Sequence, residues 1–583
     1  MSEAVSYAEA FANAPIKFTP EDLEAAAERV RASSPLYEVG EAEIRGATYR
    51  VFKNAPPNLV GIFAFGATHG DKPFITFNDE TLSFRDAFAQ GCRFAHALKD
   101  QYGIGKGDRV AIAMRNYPEW CVAYMGVISL GAVVVPLNAW WKADELTYAL
   151  KDCGAKHVVV DAKRLDYLKP VRADLGLTLI LAREQGDGAD ARFEDLLAAS
   201  ETPTPPPVDI QPDDDFCISY TSGSTGHPKG VILTHRSAIT ALLSWAYKVL
   251  TLKEARGGVS PYGEDPGVLL GIPLFHVTGS HSIFMFSLIA GRRVVMMYRW
   301  TPQDACELIR KHELTSFVGV PSQSYELIDA AGEEGLPSLL DIAAGGAKRP
   351  ADHVGQLRER FGGGYPSVGY GLTETNALGC VNSLQDYLDR PDSTGQAIAP
   401  VTDVKIFTED GEETPIGEVG EVWIRSPATF RGYLNLPEET AKALTDDGWF
   451  RTGDLGRMDA DGFVFIVDRL KDLIIRGGEN ISCLEVEARA YAHPSVGEAA
   501  AFSVPDEVLG ERVGLVVFPK DGSDLDAKAL RDFMADDLAG FKVPEHVWIS
   551  PQALPRLGTE KFDKRTVKQV ALHYPASWSA VAD

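Results

Sequence analysis

Short aliphatic, β-branched runs alternate with helical stretches along several hundred residues, and this alternation narrows the fold more than any other feature. "RVAIAM" (109–114) precedes the helical "EWCVAYMGVISLG", and "HVVVD" (157–161) follows "DELTYALKDCG". The pattern recurs at "GVLLGIPLF" (267–275), "RRVVMM" (292–297) and "TSFVGVP" (315–321), each set off by a helix-like segment. Strands spaced by helices call for α/β architecture with largely parallel sheets. At 583 residues the chain exceeds what one core holds, so at least two domains are expected. No fixed-period repeat interrupts this reading. "SETPTPPPVDIQPDDD" (200–215) reads as a Pro-rich, acidic surface linker. From about residue 402 the texture changes. "DVKIFTEDGEETPIGEVGEVWIRS" reads as hairpins with Asp-Gly and Ile-Gly turns, a small β-rich part that closes the large domain.

One stretch tests the soluble reading. Trp120–Trp141 runs 22 residues without a charge, long enough to span a bilayer. Gly126, Gly131 and Pro136 interrupt it, and "AVVVPLN" looks like a buried strand after a helix, so a buried helix–strand pair is expected rather than a transmembrane span. The N-terminus lacks a basic region followed by an apolar one and does not read as a signal peptide. A net charge of −25 repels nucleic acid and anionic lipid. Cys92, Cys121, Cys153, Cys217, Cys306, Cys380 and Cys483 are scattered with no CxxC pair, which suits buried, reduced thiols in a cytoplasmic protein.

Chemistry concentrates in "SYTSGSTGHPKGV" (219–231). "DDFCISY" enters as a strand, "GVIL" leaves as another, and Thr234 caps the helix that follows. A Walker loop needs G-x-x-x-x-G-K-[ST] opening into a helix; here Pro228 precedes Lys229 and Gly230 follows it. This is a different phosphate loop, in which small residues let backbone N–H groups and hydroxyls approach an anion and Lys229 adds charge.

Thr221–Lys229 resembles the signature loop of the adenylate-forming superfamily, which includes acyl-CoA synthetases, aryl-CoA ligases, luciferases and peptide-synthetase adenylation domains; fatty-acyl-CoA synthetases look most similar. Further motifs follow in the expected order over nearly the whole chain. The resemblance implies that Thr221, Ser222, Gly223, Ser224, Thr225, Gly226 and Lys229 hold the β- and γ-phosphates of ATP. "VGYGLTET" (368–375) resembles the adenine and magnesium motif: Gly369, Tyr370 and Gly371 would face the adenine, Thr373 a phosphate, and Glu374, with Thr225, would hold Mg²⁺. A hard cation wants a carboxylate beside a triphosphate, although Glu374 read alone is a helix-start acid. "AAGGAKRP" (343–350) stands where the family's Gly-Gly-Ala segment lines the adenine and acyl pockets through Gly345, Gly346 and Ala347; Lys348–Arg349 replace an apolar pair common in relatives. "GWFRTGDLG" (448–456) is similar to the ribose motif, with Asp454 accepting from both hydroxyls.

"VDRLKDLIIRGGENIS" (467–482) looks like the family's hinge. Arg469 would touch ribose or phosphate, Lys471 would be the hinge, and Gly477–Gly478 would lie against the CoA pantetheine; Ile475 stands where some relatives carry a lysine. "LPRLGTEKFDKR" (554–565) resembles the catalytic-lysine motif, with Lys561 pairing with carboxylate and α-phosphate oxygens as charge develops. Glu560 replaces the glycine usual before it. "PLFHVTGSHS" (273–282) would line the acyl pocket with His276, Val277, Thr278 and Gly279, joined by Leu372. His276 stands where amino-acid-activating relatives have an Asp, so an apolar acid is expected, fatty or cyclic, with aryl acids open.

The expected fold is therefore α/β: an N-terminal AMP-binding domain (1–468) of mostly parallel, helix-flanked sheets plus the small β-rich subdomain, a hinge (469–471), and a small, mobile α+β C-terminal domain (472–583). The expected activity is magnesium-dependent acyl-AMP formation from ATP, then transfer to CoA. Transfer to a carrier protein, an aryl- or sterol-acid substrate and a non-catalytic nucleotide-binding descendant are the competing readings, and peripheral membrane contact and a homodimer stay open.

Overall fold

The computed structural model describes residues 7–221, 228–361, 363–520, 522–557, 561–573 and 579–582. Among them, one large sheet carries eight strands and a second carries nine. In the first, Arg109–Ala113, Val133–Pro136, His157–Val160, Thr178–Leu181 and Ala191–Arg192 run parallel. Asp215–Thr221 joins them in parallel, and Lys229–Thr234 and Gly432–Tyr433 extend the edge antiparallel. In the second, Pro73–Phe77, Arg293–Met296, Gly267–Leu270, Ser316–Gly319, Asp341–Gly345 and Tyr365–Gly371 form a parallel block closed by antiparallel strands at both ends. The alternation in sequence thus builds the parallel centres, and hairpins make the edges.

The helices Phe84–Tyr102 and Pro118–Ser129 share one core with strands of both sheets: Phe94, Trp120, Val110, Phe74 and Val294 all belong to it. This explains the charge-free run. It is a helix followed by the strand Val133–Pro136, and every helical residue except Glu119 is buried. Gly126 is a contact point rather than an interruption, because a Cβ there would meet the Gly91 carbonyl at 2.8 Å and the Phe94 ring at 2.9 Å. Gly131 does terminate the helix, with φ +67°. No helix among the described residues is long and apolar enough to cross a membrane. All seven cysteines are buried and unpaired.

The β-rich part is an antiparallel sheet of Asp403–Phe407, Gly420–Arg425, Phe450–Met458 and Val464–Arg469. Its first two strands form one hairpin with a long connection, in which Gly411 and Gly417 take positive φ. The C-terminal domain has its own sheet, built on the long hairpin Val496–Asp506/Gly510–Pro519, and its own core around Ile474, Val486, Leu515 and Val547. The helices Cys483–Tyr491, Ala527–Ala535 and Lys564–His573 flank it. A large and a small domain, mixed α/β throughout, is the architecture expected.

Candidate active site

The C-terminal ends of parallel strands are where open α/β sheets place their ligands, and the strand Tyr365–Gly371 delivers Gly369, Tyr370 and Gly371 there. The chain then makes a short 3₁₀ turn, Thr373–Thr375, which buries Glu374. Gly371 is obligatory, since a Cβ would come within 2.4 Å of the Ala377 backbone. Burial pushes the Glu374 carboxyl above its usual range; a hydrogen bond donated by the Tyr433 hydroxyl at 2.9 Å partly offsets this. Leu372, in the preceding position, is half-buried against the main core.

Asp454 reaches the same place from the antiparallel sheet. The Tyr370 hydroxyl donates to its Oδ2 at 2.7 Å, and Arg469, its cross-strand partner in register, approaches Oδ1 at 3.3 Å. Burial raises the Asp454 pKa, and the Arg469 guanidinium pulls against that shift. Lys561 arrives from the small domain. A Cβ on Gly346 would meet its Cε at 3.0 Å and its Nζ at 3.5 Å, and Gly346 itself holds φ +78°. The glycine therefore gives the lysine its path. Burial first, and repulsion from Arg469 second, lower the Lys561 ammonium to about 8, while Asp454 and Glu374 hold it up. Lys471, in an exposed turn after the strand Val464–Arg469, contributes to the same field.

Lys229 ends the phosphate loop at the start of the strand Lys229–Thr234. Its ammonium pairs with Glu439 at 2.7 Å and lies 5.3 Å over the Tyr433 ring, so Tyr433 touches both Lys229 and Glu374. Ser222, Gly223, Ser224, Thr225 and Gly226 lie outside the described residues, as does Glu560. Thr221 ends the incoming strand, paired with Lys229.

On the acyl side, His276 packs on Phe275 with centroids 4.5 Å apart. Burial and the Lys561 ammonium push the imidazole down to about 3, so it is neutral, and its buried Nε2 has no hydrogen-bond partner among the described residues. Thr278–Met285 forms a π-helix, a rare form that is frequent at functional sites. Buried Arg292 braces it by donating to the carbonyls of Ser282 and Ile283. Val277 is buried, and Gly279 fits under the Pro273 carbonyl, where a Cβ would stand 2.4 Å from the oxygen. A recess opens beside Phe275, walled by Trp140, Tyr298, Trp300, Arg115 and Arg299.

The structure thus gathers Glu374, Tyr370, Asp454, Arg469, Lys561, Gly346 and His276, with Lys229 linked through Tyr433. It does not bring Gly477 and Gly478 into this contact network: they make the exposed turn of the hairpin Ile474–Arg476/Glu479–Ile481, with φ +58° and +92°. Lys348 and Arg349 also part ways with the apolar pair they replace. Arg349 is buried and donates to the carbonyls of Ile342 and Ser367, and Lys348 reaches the Ile466 carbonyl. Four cations, Lys229, Arg469, Lys471 and Lys561, converge in a chain of net charge −25. Such a site attracts a polyanion, and a single carboxylate at Glu374 suits Mg²⁺, which takes one or two carboxylates plus phosphate oxygens. Tyr433, Glu439 and Arg292 carry no local sequence signal that would have singled them out.

The AMP-binding enzyme family model matches residues 62–434, and the AMP-binding enzyme C-terminal domain model matches residues 485–561. A long-chain-fatty-acid–CoA ligase of Mycobacterium tuberculosis is 34% identical over 498 residues, covering 84% of this chain and 94% of that protein. A feruloyl-CoA synthase of Amycolatopsis is 34% identical over 495 residues, with the same coverage of both chains. The crystal structure of ATP-bound MatB from Rhodopseudomonas palustris is similar with a TM-score of 0.78 at 28% identity, covering 88% of this chain and 99% of that one.

Proposed function

This chain belongs to the AMP-binding enzyme family and is an acid–thiol ligase, and from that premise we propose that its acid is hydrophobic, a fatty acid before an aryl one, and that the residues gathered above carry the reaction. A carboxylate oxygen of the acid attacks the α-phosphorus of ATP, the α–β phosphoanhydride bond breaks, and pyrophosphate leaves. Lys561 holds the acid carboxylate and the α-phosphate oxygens as negative charge builds between them. Stabilising charge where it develops is the largest catalytic contribution in such chemistry. Asp454 and Arg469 orient the ribose, and Tyr370 backs the adenine. Lys229 and the loop before it hold the phosphates that depart. Glu374, with Thr225, would hold Mg²⁺, which offsets charge on the leaving pyrophosphate. In the second step the CoA thiol attacks the acyl carbon, its proton passes to solvent, and AMP leaves.

The observation that carries this reading is the approach of Lys561 over Gly346 into the group formed by Asp454, Arg469 and Glu374. For the acid, the support is His276: a neutral imidazole offers no anion to a substrate ammonium. Free α-amino acids should therefore not be activated. The test is pyrophosphate release over a panel of fatty, aryl, sterol-like and α-amino acids, with and without CoA. The reading expects a fatty acid to lead and CoA to be consumed. An aryl acid as the best substrate would move the specificity, and acyl-AMP formation without CoA consumption would point to a carrier-protein acceptor.

A further inference from the structure

The loop that carries Lys561 is held closed at its base. Arg556 and Phe562 face each other as an antiparallel bridge, the Leu557 N–H donates to the Lys561 carbonyl at 2.7 Å, and the Asp563 N–H donates to the Pro555 carbonyl at 2.8 Å. Whatever fixes Arg556 therefore fixes Lys561. The Arg556 guanidinium touches both domains. Within the small domain it donates to Glu498 at 2.6 Å. Across the domain boundary it donates to the Ser322 hydroxyl at 2.8 Å and to Glu326 Oε1 at 3.4 Å.

Ser322 and Glu326 lie on the helix Pro321–Ala331, four residues apart and hence on one face. Glu326 is held in turn by the Trp300 indole N–H, at 2.6 Å on its other oxygen. Tyr325, between them, stacks on His353 at 4.6 Å and lies under Lys520 of the small domain at 5.6 Å. This helix face is a docking seam. A planar guanidinium with five donors suits such a junction, because it can serve three acceptors from two bodies at once. Any rotation of the small domain away from the seam keeps the bond to Glu498 and loses those to Ser322 and Glu326.

We propose that Arg556 is the positioning residue for acyl-AMP formation: it docks the base of the Lys561 loop, residues 555–557 and 561–563, on the helix Pro321–Ala331 and so sets Lys561 over Gly346. This rests on the role proposed above for Lys561, and the experiment separates the two. In the full-length enzyme, acyl-AMP formation is read as pyrophosphate release, and thioester formation as thiol consumption from synthetic acyl-AMP. Arg556→Ala should lower kcat of the first by about tenfold or more, the worth of a charge-assisted hydrogen bond, with little change in KM for ATP. Thioester formation should be unchanged. Ser322→Ala with Glu326→Ala, made on the large domain, should reproduce the same split without touching the small domain, and Arg556→Lys should recover part of the loss. In a Lys561→Ala background Arg556→Ala should add nothing, because it acts through that lysine. Equal loss of both half-reactions in both variants, or losses that add on top of Lys561→Ala, would overturn the proposal. If Lys561→Ala alone leaves acyl-AMP formation intact, the role of the lysine fails first, and that of Arg556 with it.

Discussion

Two loops of the small domain stand in opposite conditions. The base of the Lys561 loop, residues 555–557 and 561–563, is docked: Arg556 is 19% exposed by its side chain and spans both domains, and burial together with Arg469 brings the Lys561 ammonium down to about 8. The Gly477–Gly478 turn is exposed. Both glycines sit in the left-handed region, a Cβ on Gly477 would meet only Leu509 at 3.3 Å, and one on Gly478 would meet nothing. Around it Ile475 is 55% exposed and Val508 87%. Two consecutive glycines at positive φ are what a tight two-residue hairpin turn needs, so the turn's geometry is explained locally. This arrangement of domains thus docks the base of the loop and leaves the turn exposed. On the reading proposed above, it is the arrangement that makes the adenylate.

The sharpest way to break that contrast is Gly346→Val. Its side chain would occupy the path of Lys561 at a backbone φ of +78°. Acyl-AMP formation should fall about a hundredfold, as when an oxyanion contact is lost, while preformed acyl-AMP is still converted; pyrophosphate release and thiol consumption measure the two. Next in size is pH. A lysine with its pKa lowered to about 8 carries its charge below that value and loses it as pH rises through it. The kcat/KM of acyl-AMP formation should therefore fall about tenfold per pH unit above that point, since it reports the free enzyme's ionisation. A flat profile to pH 10 would contradict the lowered pKa of Lys561.

Gly478→Val probes the exposed side. Its cost to stability should be about 1–2 kcal/mol from the strained φ alone, read as a shift in the denaturation midpoint, with acyl-AMP formation unchanged and thioester formation slowed. Loss of acyl-AMP formation would mean that the turn takes part in the first step as well. The smallest effect is expected for Ile475→Asp. At an exposed position its stability change should stay within about 0.5 kcal/mol in the same denaturation assay, and pyrophosphate release should match the unmodified enzyme.

Local patterns made much of this legible. The two strands and the capped helix between residues 215 and 255 follow from β-rich runs and the Thr234 cap, and each forms where it is expected. The pairing of Asp454 with Arg469 and the burial of Glu374 sit in motifs that could be found by eye. What was not legible depends on approaches between distant segments. Gly126 looks like a break in a hydrophobic run until the Gly91 carbonyl is seen against it. Arg349 stands in place of an apolar residue, yet it turns inward to satisfy carbonyls of two strands. Arg556 meets Ser322 across 234 positions of chain, and no periodicity encodes such a meeting.

On the reading proposed above, Lys561 acts in one half-reaction and stands aside in the other. The direct test is Lys561→Ala assayed for both: pyrophosphate release from ATP and acid, and thiol consumption from synthetic acyl-AMP. A loss on the order of a hundredfold or more is expected in the first, with near-normal rates in the second. Equal impairment of the two would contradict it, and would mean that the domains work in this one arrangement throughout.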